Sequence, residues 1–323
     1  MPSSRRVLCG LTPFLVVLAA LTGPARAGLD VVVTSKPVHA LVAQVMQGVG
    51  EPALLVDGTA SPHTFAMRPS DAQKVYRANV FFRVSEGLEP FTARLIKSLP
   101  KSVDVVTLAQ APGVKLLQRR SGGPFETDAH GHGAGKKAHA HKDHAKGAGE
   151  DYDAHIWLDP DNAKAIVAAV AAALARRAPE HATRLEANAT ALTRRIDTLA
   201  ASIAADLAPV SGRPFVVLHD ANQYFERRFG LTAIGSIAVS PDEQPSAKRI
   251  TDLRRKVTAL PAVCVFAEPH HQPRVVTSVT EGTRARTAVL DPEGTAIPAG
   301  PELYFELMRR LADAMRTCLS ASA

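Results

Sequence analysis

The sequence predicts an α/β protein with two similar lobes, each a mostly parallel four-stranded sheet with flanking helices, and a long helix that joins them. Three observations indicate this fold. In both halves of the chain, short apolar segments rich in β-branched residues alternate with segments of helical periodicity, as is typical of parallel sheets. Between the halves, residues 179–209 carry apolar side chains at spacings of three and four, which predicts one long helix. The hydrophobic content of 46% is sufficient for a sizeable core.

The N-terminus differs from the rest of the chain and is typical of a secretory signal peptide. Two arginines precede a mostly apolar segment, and Ala25-Arg26-Ala27 provides a small-x-small cleavage site. We therefore expect residues 1–27 to be removed after about Ala27 and the protein to be exported. Removal takes away three arginines and no acidic residue, so the formal net charge falls from +7 to +4. This small excess, without a basic stripe, predicts no nucleic-acid partner.

The N-terminal lobe, predicted as residues 28–178, contains the first candidate ligand. Its predicted strands cover 29–34, 53–56, 79–84 and 103–108, and its predicted helices cover 37–49, 70–77 and 88–97. His63 lies on the loop that leaves the second strand. Because ligands of open α/β sheets bind beyond the carboxyl ends of the strands, His63 is a candidate ligand.

Residues 121–152 interrupt this alternation and have no apolar periodicity. The segment is rich in Gly, Ala and Lys and contains five histidines: His130, His132, His139, His141 and His144. Such a composition cannot form a packed core, so we predict a disordered loop. The histidines predict weak metal binding in several geometries, and the alternative is a solvated polar linker that happens to be rich in histidine.

The segment after this loop carries the second candidate ligand, His155. The apolar run Ile156-Trp157-Leu158 predicts that His155 is held by a buried element, and Asp159-Pro160 predicts a helix start, with Asp as the cap. A helix to about residue 177 follows, and then the linker helix over 179–209. An ordinary helical hairpin within one domain is the alternative to a helix that joins two lobes.

The C-terminal lobe, predicted as residues 210–323, repeats the pattern. Its predicted strands cover 215–218, 231–237, 263–266 and 287–290, and its predicted helices cover 222–228, 246–260, 273–282 and 302–319. His219 follows the first of these strands directly, and Asp291 follows the last. Both side chains are therefore expected in the crevice between the lobes, facing His63 and His155.

Three histidines and one aspartate in one crevice predict a metal site. Neutral imidazoles suit Zn²⁺, and three of them with a carboxylate or a water molecule complete a tetrahedral zinc site. Since each imidazole must be neutral to bind, affinity should fall below about pH 6.5, more steeply than one proton would cause. A manganese site would contain more carboxylates.

Two cysteines, Cys264 and Cys318, remain after export. An even pair in an exported protein predicts one disulfide, and two buried free thiols are the alternative.

Several stretches of the chain resemble one protein family over nearly the whole mature length. They are Ser61-Pro62-His63-Thr64-Phe65 leading to Arg68-Pro69-Ser70-Asp71, Ala154-His155-Ile156-Trp157-Leu158-Asp159-Pro160, His219-Asp220 with Tyr224-Phe225, Glu243-Gln244-Pro245-Ser246, Val265-Phe266-Ala267-Glu268-Pro269, and Leu290-Asp291-Pro292. In these stretches the chain resembles the ZnuA-type solute-binding proteins, the periplasmic zinc-binding components of bacterial ABC uptake systems.

The resemblance implies a zinc site formed by His63, His155 and His219 between two lobes. It also implies that the histidine-rich loop is a family feature and that Cys264 pairs with Cys318. Some members have a carboxylate immediately before the first histidine. Pro62 occupies that position here, so Asp291 or water is expected as the fourth ligand.

The resemblance further implies a monomeric periplasmic receptor rather than an enzyme. Its partner would be an inner-membrane ABC permease with a cytoplasmic ATPase. The closest alternative is a manganese or iron receptor of the same class. An exported zinc hydrolase is a more distant alternative, because three histidines with an open position also occur in catalytic sites. The sequence lacks an HExxH motif that would place a general base beside a ligand.

Overall fold

A computed structural model describes residues 28–120, 125, 151–238, 244–260, 263–269 and 273–320. The predicted signal peptide and the histidines of the predicted loop (His130, His132, His139, His141 and His144) lie outside this part of the chain.

The N-terminal lobe is a parallel four-stranded sheet with the order β2-β1-β3-β4. Its strands are β1 (Val31–Val33), β2 (Ala53–Leu54), β3 (Val80–Arg83) and β4 (Asp104–Thr107). Its helices are α1 (Lys36–Val45), α2 (Pro69–Arg77) and α3 (Thr92–Ser98). The predicted elements of this half are confirmed, although each strand is shorter than its apolar segment.

The C-terminal lobe has a second parallel four-stranded sheet, with the order β6-β5-β7-β8. Its strands are β5 (Phe215–Val217), β6 (Ala233–Ser236), β7 (Cys264–Ala267) and β8 (Arg286–Val289). Its helices are α6 (Gln223–Phe229), α7 (Ala247–Ala259), α8 (Pro273–Thr280) and α9 (Leu303–Ser320). In both sheets the first strand lies between the second and the third, so the prediction of two similar lobes is confirmed.

Two helices lie between the sheets in the sequence, α4 (Pro160–Arg177) and α5 (Ala182–Leu207). The side chain of Asp159 accepts a hydrogen bond from the amide of Asp161, which confirms the predicted cap of α4. The predicted linker helix begins with a short 3₁₀ turn, Pro179–His181, before α5. The 26 residues of α5 extend over roughly 39 Å at 1.5 Å per residue. This length allows α5 to pack on α1 of the first lobe and on α9 of the second.

One apolar core cluster contains side chains from both lobes. It joins Val31 and Phe82 of the first sheet to Phe215 and Phe266 of the second, with Trp157 fully buried among them. Because burial of large apolar side chains is the main stabilising term in folding, this shared core restrains the lobes relative to each other. No helix in the described part of the chain is long and apolar enough to cross a membrane.

A disulfide joins Cys264 at the start of β7 to Cys318 in α9, with 6.1 Å between the two Cα atoms. The predicted pairing is therefore confirmed, and the alternative of two free thiols is wrong. The bond closes a segment with a sequence separation of 54.

The disulfide should contribute measurably to stability. We expect the double variant C264S/C318S to lose about 2–4 kcal/mol of unfolding free energy, because the bond restricts the unfolded chain. Urea denaturation in the presence of a chelator measures the change. Reductant should destabilise the wild type and leave the double variant unaffected; equal midpoints for all four samples would contradict this contribution.

Candidate metal centre

Three predicted ligands, His63, His155 and His219, meet between the two lobes. One nitrogen of each ring lies within 4.8 Å of the corresponding nitrogens of the other two. The Nε2 atoms of His63 and His155 are 3.4 Å apart. Two nitrogens bound to one tetrahedral zinc at 2.0–2.1 Å would be separated by about 3.3–3.4 Å. The spacing of these two rings therefore fits a shared ion.

Each histidine lies outside the regular strands and helices, on a segment held by neighbouring residues. His63 lies on the loop after β2, where its amide donates to Oγ of Ser61. His155 is the residue before a buried 3₁₀ turn, Ile156–Leu158, and its ring packs against Trp157. His219 lies two residues beyond β5. The structure thus places all three where the sequence predicted, beyond strand ends or on a buried segment.

Two of the three rings are oriented by buried carboxylates that sequence reasoning missed. Nδ1 of His155 lies 2.7 Å from Oδ1 of Asp153, and Nδ1 of His219 lies 2.5 Å from Oε1 of Glu268. A carboxylate on one ring nitrogen fixes the tautomer, leaves the other nitrogen available to a metal and increases its basicity. Nε2 of His219 is buried and has no hydrogen-bond partner within the described residues. An unpaired buried nitrogen is costly, so its position favours a bound cation.

Signals for both carboxylates were present in the sequence. Asp153 is two residues before His155, close enough for its side chain to reach the ring. Glu268 follows β7, which pairs directly with β5, so it emerges beside His219 at the same edge of the sheet. Glu268 could be paired with His219 only once β5 and β7 were known to be neighbours, and this pairing of strands is a feature of the tertiary structure.

Burial and charge act differently on the three imidazoles. Burial lowers the pKa of His63 well below its usual value, and it lowers the pKa of His155 to about 3. Burial alone would also lower the pKa of His219, but the neighbouring Glu268 carboxylate outweighs it and the pKa is raised. Burial raises the pKa of Asp153 to about 7. In the metal-free protein, each histidine–carboxylate pair therefore binds one extra proton near or below neutral pH, and His63 stays neutral.

The fourth candidate ligand, Asp291, does not join the histidines. Its carboxylate accepts hydrogen bonds from the amide of Thr295 at 2.9 Å, from the hydroxyl of the same residue at 3.1 Å, and from the amide of Ala296 at 2.8 Å. Asp291 therefore stabilises its own loop. Two residues further on, Oε1 of Glu293 lies 3.6 Å from Nε2 of His63. Glu293 is the carboxylate of this loop that approaches the ring of His63.

The loop that carries Glu293 belongs to the C-terminal lobe and is held in place by two side chains of the N-terminal lobe. The indole Nε1 of Trp157 donates to the carbonyl of Pro292 at 2.9 Å, and Nζ of Lys36 donates to the carbonyl of Thr295 at 3.1 Å. Gly294 has a φ of +67°, a conformation that favours glycine. These contacts fix the backbone on either side of Glu293, so its carboxylate is directed to the histidines with little freedom.

Comparisons with known sequences match nearly the whole chain. A family model described as the periplasmic component A of a zinc-uptake complex matches residues 31–318. A protein of Brucella suis named high-affinity zinc uptake system protein ZnuA is 44% identical over 322 residues, covering 94% of this chain and 96% of the relative. The proteins of that name from Paracoccus denitrificans and Yersinia pestis are 34% and 33% identical. Their matches cover 96% and 93% of this chain, and 99% and 94% of the relatives.

Solved structures share the fold. The crystal structure of a ZnuA superposes with a TM-score of 0.73 at 20% identity, covering 90% of this chain and 99% of that one. The Zn(II)-bound ZnuA-like domain of AdcA from Streptococcus pneumoniae superposes with a TM-score of 0.69 at 21% identity, covering 91% of this chain and all of that domain. At these identities the likeness establishes the two-lobed architecture alone.

Proposed function

The chain belongs to the family of ZnuA-type periplasmic zinc-uptake components, and from this premise we propose that it is a high-affinity receptor for Zn²⁺. It captures the ion in the cleft between its two lobes and delivers it to an ABC permease of the inner membrane, which is driven by a cytoplasmic ATPase. Export through the predicted signal peptide, with cleavage after about Ala27, brings the receptor to the periplasm, where it acts as a monomer. The protein is a carrier without catalytic activity.

The observation that carries this proposal is the convergence of His63, His155 and His219, with two rings oriented by buried carboxylates. The three rings already lie close together, so a cation can bind with little rearrangement of the site. The side chains of His155 and His219 are only 6% and 3% exposed, whereas that of His63 is 20% exposed. His63 therefore faces the route by which zinc enters and leaves.

We assign the fourth donor to Glu293. Its carboxylate is 11% exposed and lies beside His63, whereas the oxygens of Asp291 are engaged by the loop. A carboxylate also adds a negative charge to a site whose three imidazoles are neutral. Three nitrogens and one oxygen in a tetrahedral arrangement suit zinc, whereas manganese prefers more oxygen ligands.

A zinc hydrolase needs a general base within hydrogen-bond reach of a metal-bound water. Here the carboxylates of Asp153 and Glu268 are engaged by Nδ1 of the ligand histidines, and Glu293 is assigned to the metal. The arrangement therefore favours binding over catalysis. The zinc-loaded protein should not accelerate hydrolysis of activated esters or peptides above a His155→Ala control.

The function is tested by zinc uptake in the source cell. A strain lacking this protein should take up less ⁶⁵Zn under zinc limitation, and the wild-type chain should restore uptake. A chain with His155→Ala that is exported equally well should not. Equal restoration by both chains would refute the receptor proposal.

We further propose that the loop histidines (His130, His132, His139, His141 and His144) bind zinc weakly and raise its supply near the cleft. Deletion of residues 126–150 should remove weak zinc sites in calorimetry and slow the loading of the protein from dilute zinc. An unchanged number of weak sites and an unchanged loading rate would identify the segment as a passive linker.

The affinity for zinc should fall on acidification, because zinc binding releases two protons, not three. Protons compete with the metal, so affinity is highest above the pKa values of the two histidine–carboxylate pairs. Asp153 has a pKa of about 7 and His219 a raised pKa, whereas the low pKa of His63 keeps it neutral. Below about pH 6 the loss should approach 100-fold per pH unit, against about 1000-fold for three protons. Competition titrations from pH 8 to 5 measure this slope; a three-proton dependence would contradict the assignment.

A further inference from the structure

Arg120 connects the first lobe to the residue beside a metal ligand. It lies beyond β4 of the N-terminal sheet, and its guanidinium binds two carboxylates of the other lobe. Nε lies 3.0 Å from both carboxylate oxygens of Asp220, and Nη2 also contacts this carboxylate. Nη1 and Nη2 donate to the two oxygens of Glu226 at 2.7 and 2.9 Å. The three side chains are 19%, 12% and 3% exposed, so this cluster is mostly shielded from water.

The backbone beside Arg120 reinforces the connection to α6. The hydroxyl of Tyr224 accepts from the amide of Leu117 at 3.0 Å and donates to the carbonyl of Asp153 at 2.8 Å. Gln223 donates to the carbonyl of Gln118 at 3.2 Å. We call this set, in which segments 117–120 and 151–153 bind α6 and Asp220, the α6 contact.

Both ends of the α6 contact adjoin ligands. Asp220 follows His219 in the chain, and Asp153 orients the ring of His155. The relative position of these two ligands therefore depends on residues that do not touch the metal site. We propose that Arg120 is a positioning residue for zinc: through Asp220 and Glu226 it holds His219 at the distance from His155 that the ion requires. This inference rests on the proposed zinc receptor function.

Charge and position make opposite predictions for Arg120. A guanidinium close to a cation site repels the cation, so Coulomb's law alone predicts tighter zinc binding when Arg120 is neutralised. If Arg120 acts by position, its removal releases Asp220 and leaves this carboxylate and the buried carboxylate of Glu226 without the cation that they share. Zinc binding is then weaker. The sign of the change in affinity therefore separates the two roles.

The test compares Arg120→Gln and Arg120→Lys with the wild-type chain. Zinc affinity is measured by competition with a chelator, and the visible spectrum of the Co²⁺-loaded protein reports the geometry of the ligands. Arg195→Gln is a matched control. Arg195 also forms an ion pair, with Glu302, and stacks on an aromatic ring at 4.0 Å, as Arg120 does on Phe125 at 4.3 Å.

We expect Arg120→Gln to bind zinc about tenfold more weakly, at the lower end of the range for outer partners of metal ligands. Arg120→Lys, which keeps the charge and loses the planar fork, should be intermediate, and the Co²⁺ spectra of both should shift. Arg195→Gln should match the wild type in affinity and spectrum. Unchanged or tighter zinc binding by Arg120→Gln, with an unchanged Co²⁺ spectrum, would overturn the positioning role.

A second variant keeps the inference testable if Arg120→Gln does not fold. Tyr224→Phe removes only the hydroxyl that joins Leu117 to Asp153, and it should also weaken zinc binding and shift the Co²⁺ spectrum. If Arg120→Gln loses its native circular dichroism, Tyr224→Phe decides, and wild-type affinity in that variant would overturn the inference. A wild-type chain without a tight zinc site would instead refute the proposed function itself, so the two failures are distinguishable.

Discussion

Replacing His155 with alanine is expected to abolish tight zinc binding. His155 is the central histidine of the three, with its ring 5.4 Å from that of His63 and 5.3 Å from that of His219, measured between centroids. Removing only an outer partner of a ligand typically costs 10–100-fold in affinity, so loss of the ligand itself should exceed about 100-fold. His63→Ala and His219→Ala should behave in the same way. Competition with a fluorescent zinc chelator at pH 7.5 measures each loss.

Two controls separate this site from the other histidines. His181→Ala removes a histidine from the 3₁₀ turn before α5 and should leave the tight site intact. Deletion of residues 126–150 should remove weak sites and likewise preserve the tight one. The same holds for the shorter deletion of residues 128–146. If this deletion abolished tight binding and the three single substitutions did not, the ligand assignment would be wrong.

Glu293→Gln is expected to weaken zinc binding more than Asp291→Asn. The first change removes the negative charge and the donor oxygen next to His63. We expect zinc affinity to fall about 10–100-fold, which corresponds to about 1.4–2.8 kcal/mol of lost attraction between the carboxylate and the ion. This is well within the Coulomb energy of a nearby carboxylate at an effective dielectric constant of about 20. Asp291→Asn retains an oxygen that can accept from Thr295, so its main effect should be on the stability of the loop.

Isothermal titration with Zn²⁺ at one pH compares these two variants directly. Both substitutions remove one negative charge from the same loop, so each serves as the charge-matched control of the other. A larger loss of affinity in Asp291→Asn than in Glu293→Gln would return the fourth position to Asp291. Equal affinity in Glu293→Gln and the wild type would leave that position to water.

The fold was predictable because its signals are local. Each strand of the two sheets arises from a short apolar segment, and the spacing of apolar residues in α5 predicted a helix long enough to contact both lobes. Strand ends were overestimated, since apolar residues such as Leu29 and Val56 lie beyond the bounds of β1 and β2. The shared core around Trp157 was outside sequence reasoning, because it depends on contacts between residues distant in the chain.

The sequence predicted the histidines of the candidate site but did not identify its carboxylates. His63 and His219 follow strands, so their place in the cleft followed from the parallel topology. The choice between Asp291 and Glu293 could not be made from sequence, because both follow β8 and only the folded loop shows which one turns back on its own amides. Glu268 was missed for the related reason that its contact with His219 requires β7 to lie beside β5.

One tight site in this protein is proposed to select zinc through three histidines and a carboxylate. A competition titration tests this selectivity: residues 28–323 are purified with a chelator and then offered Zn²⁺ and Mn²⁺ together. We expect one tight zinc ion per chain and displacement of bound manganese by equimolar zinc, since imidazole-rich tetrahedral sites favour zinc. Retention of manganese against equimolar zinc, or the absence of any tight zinc site, would contradict the account.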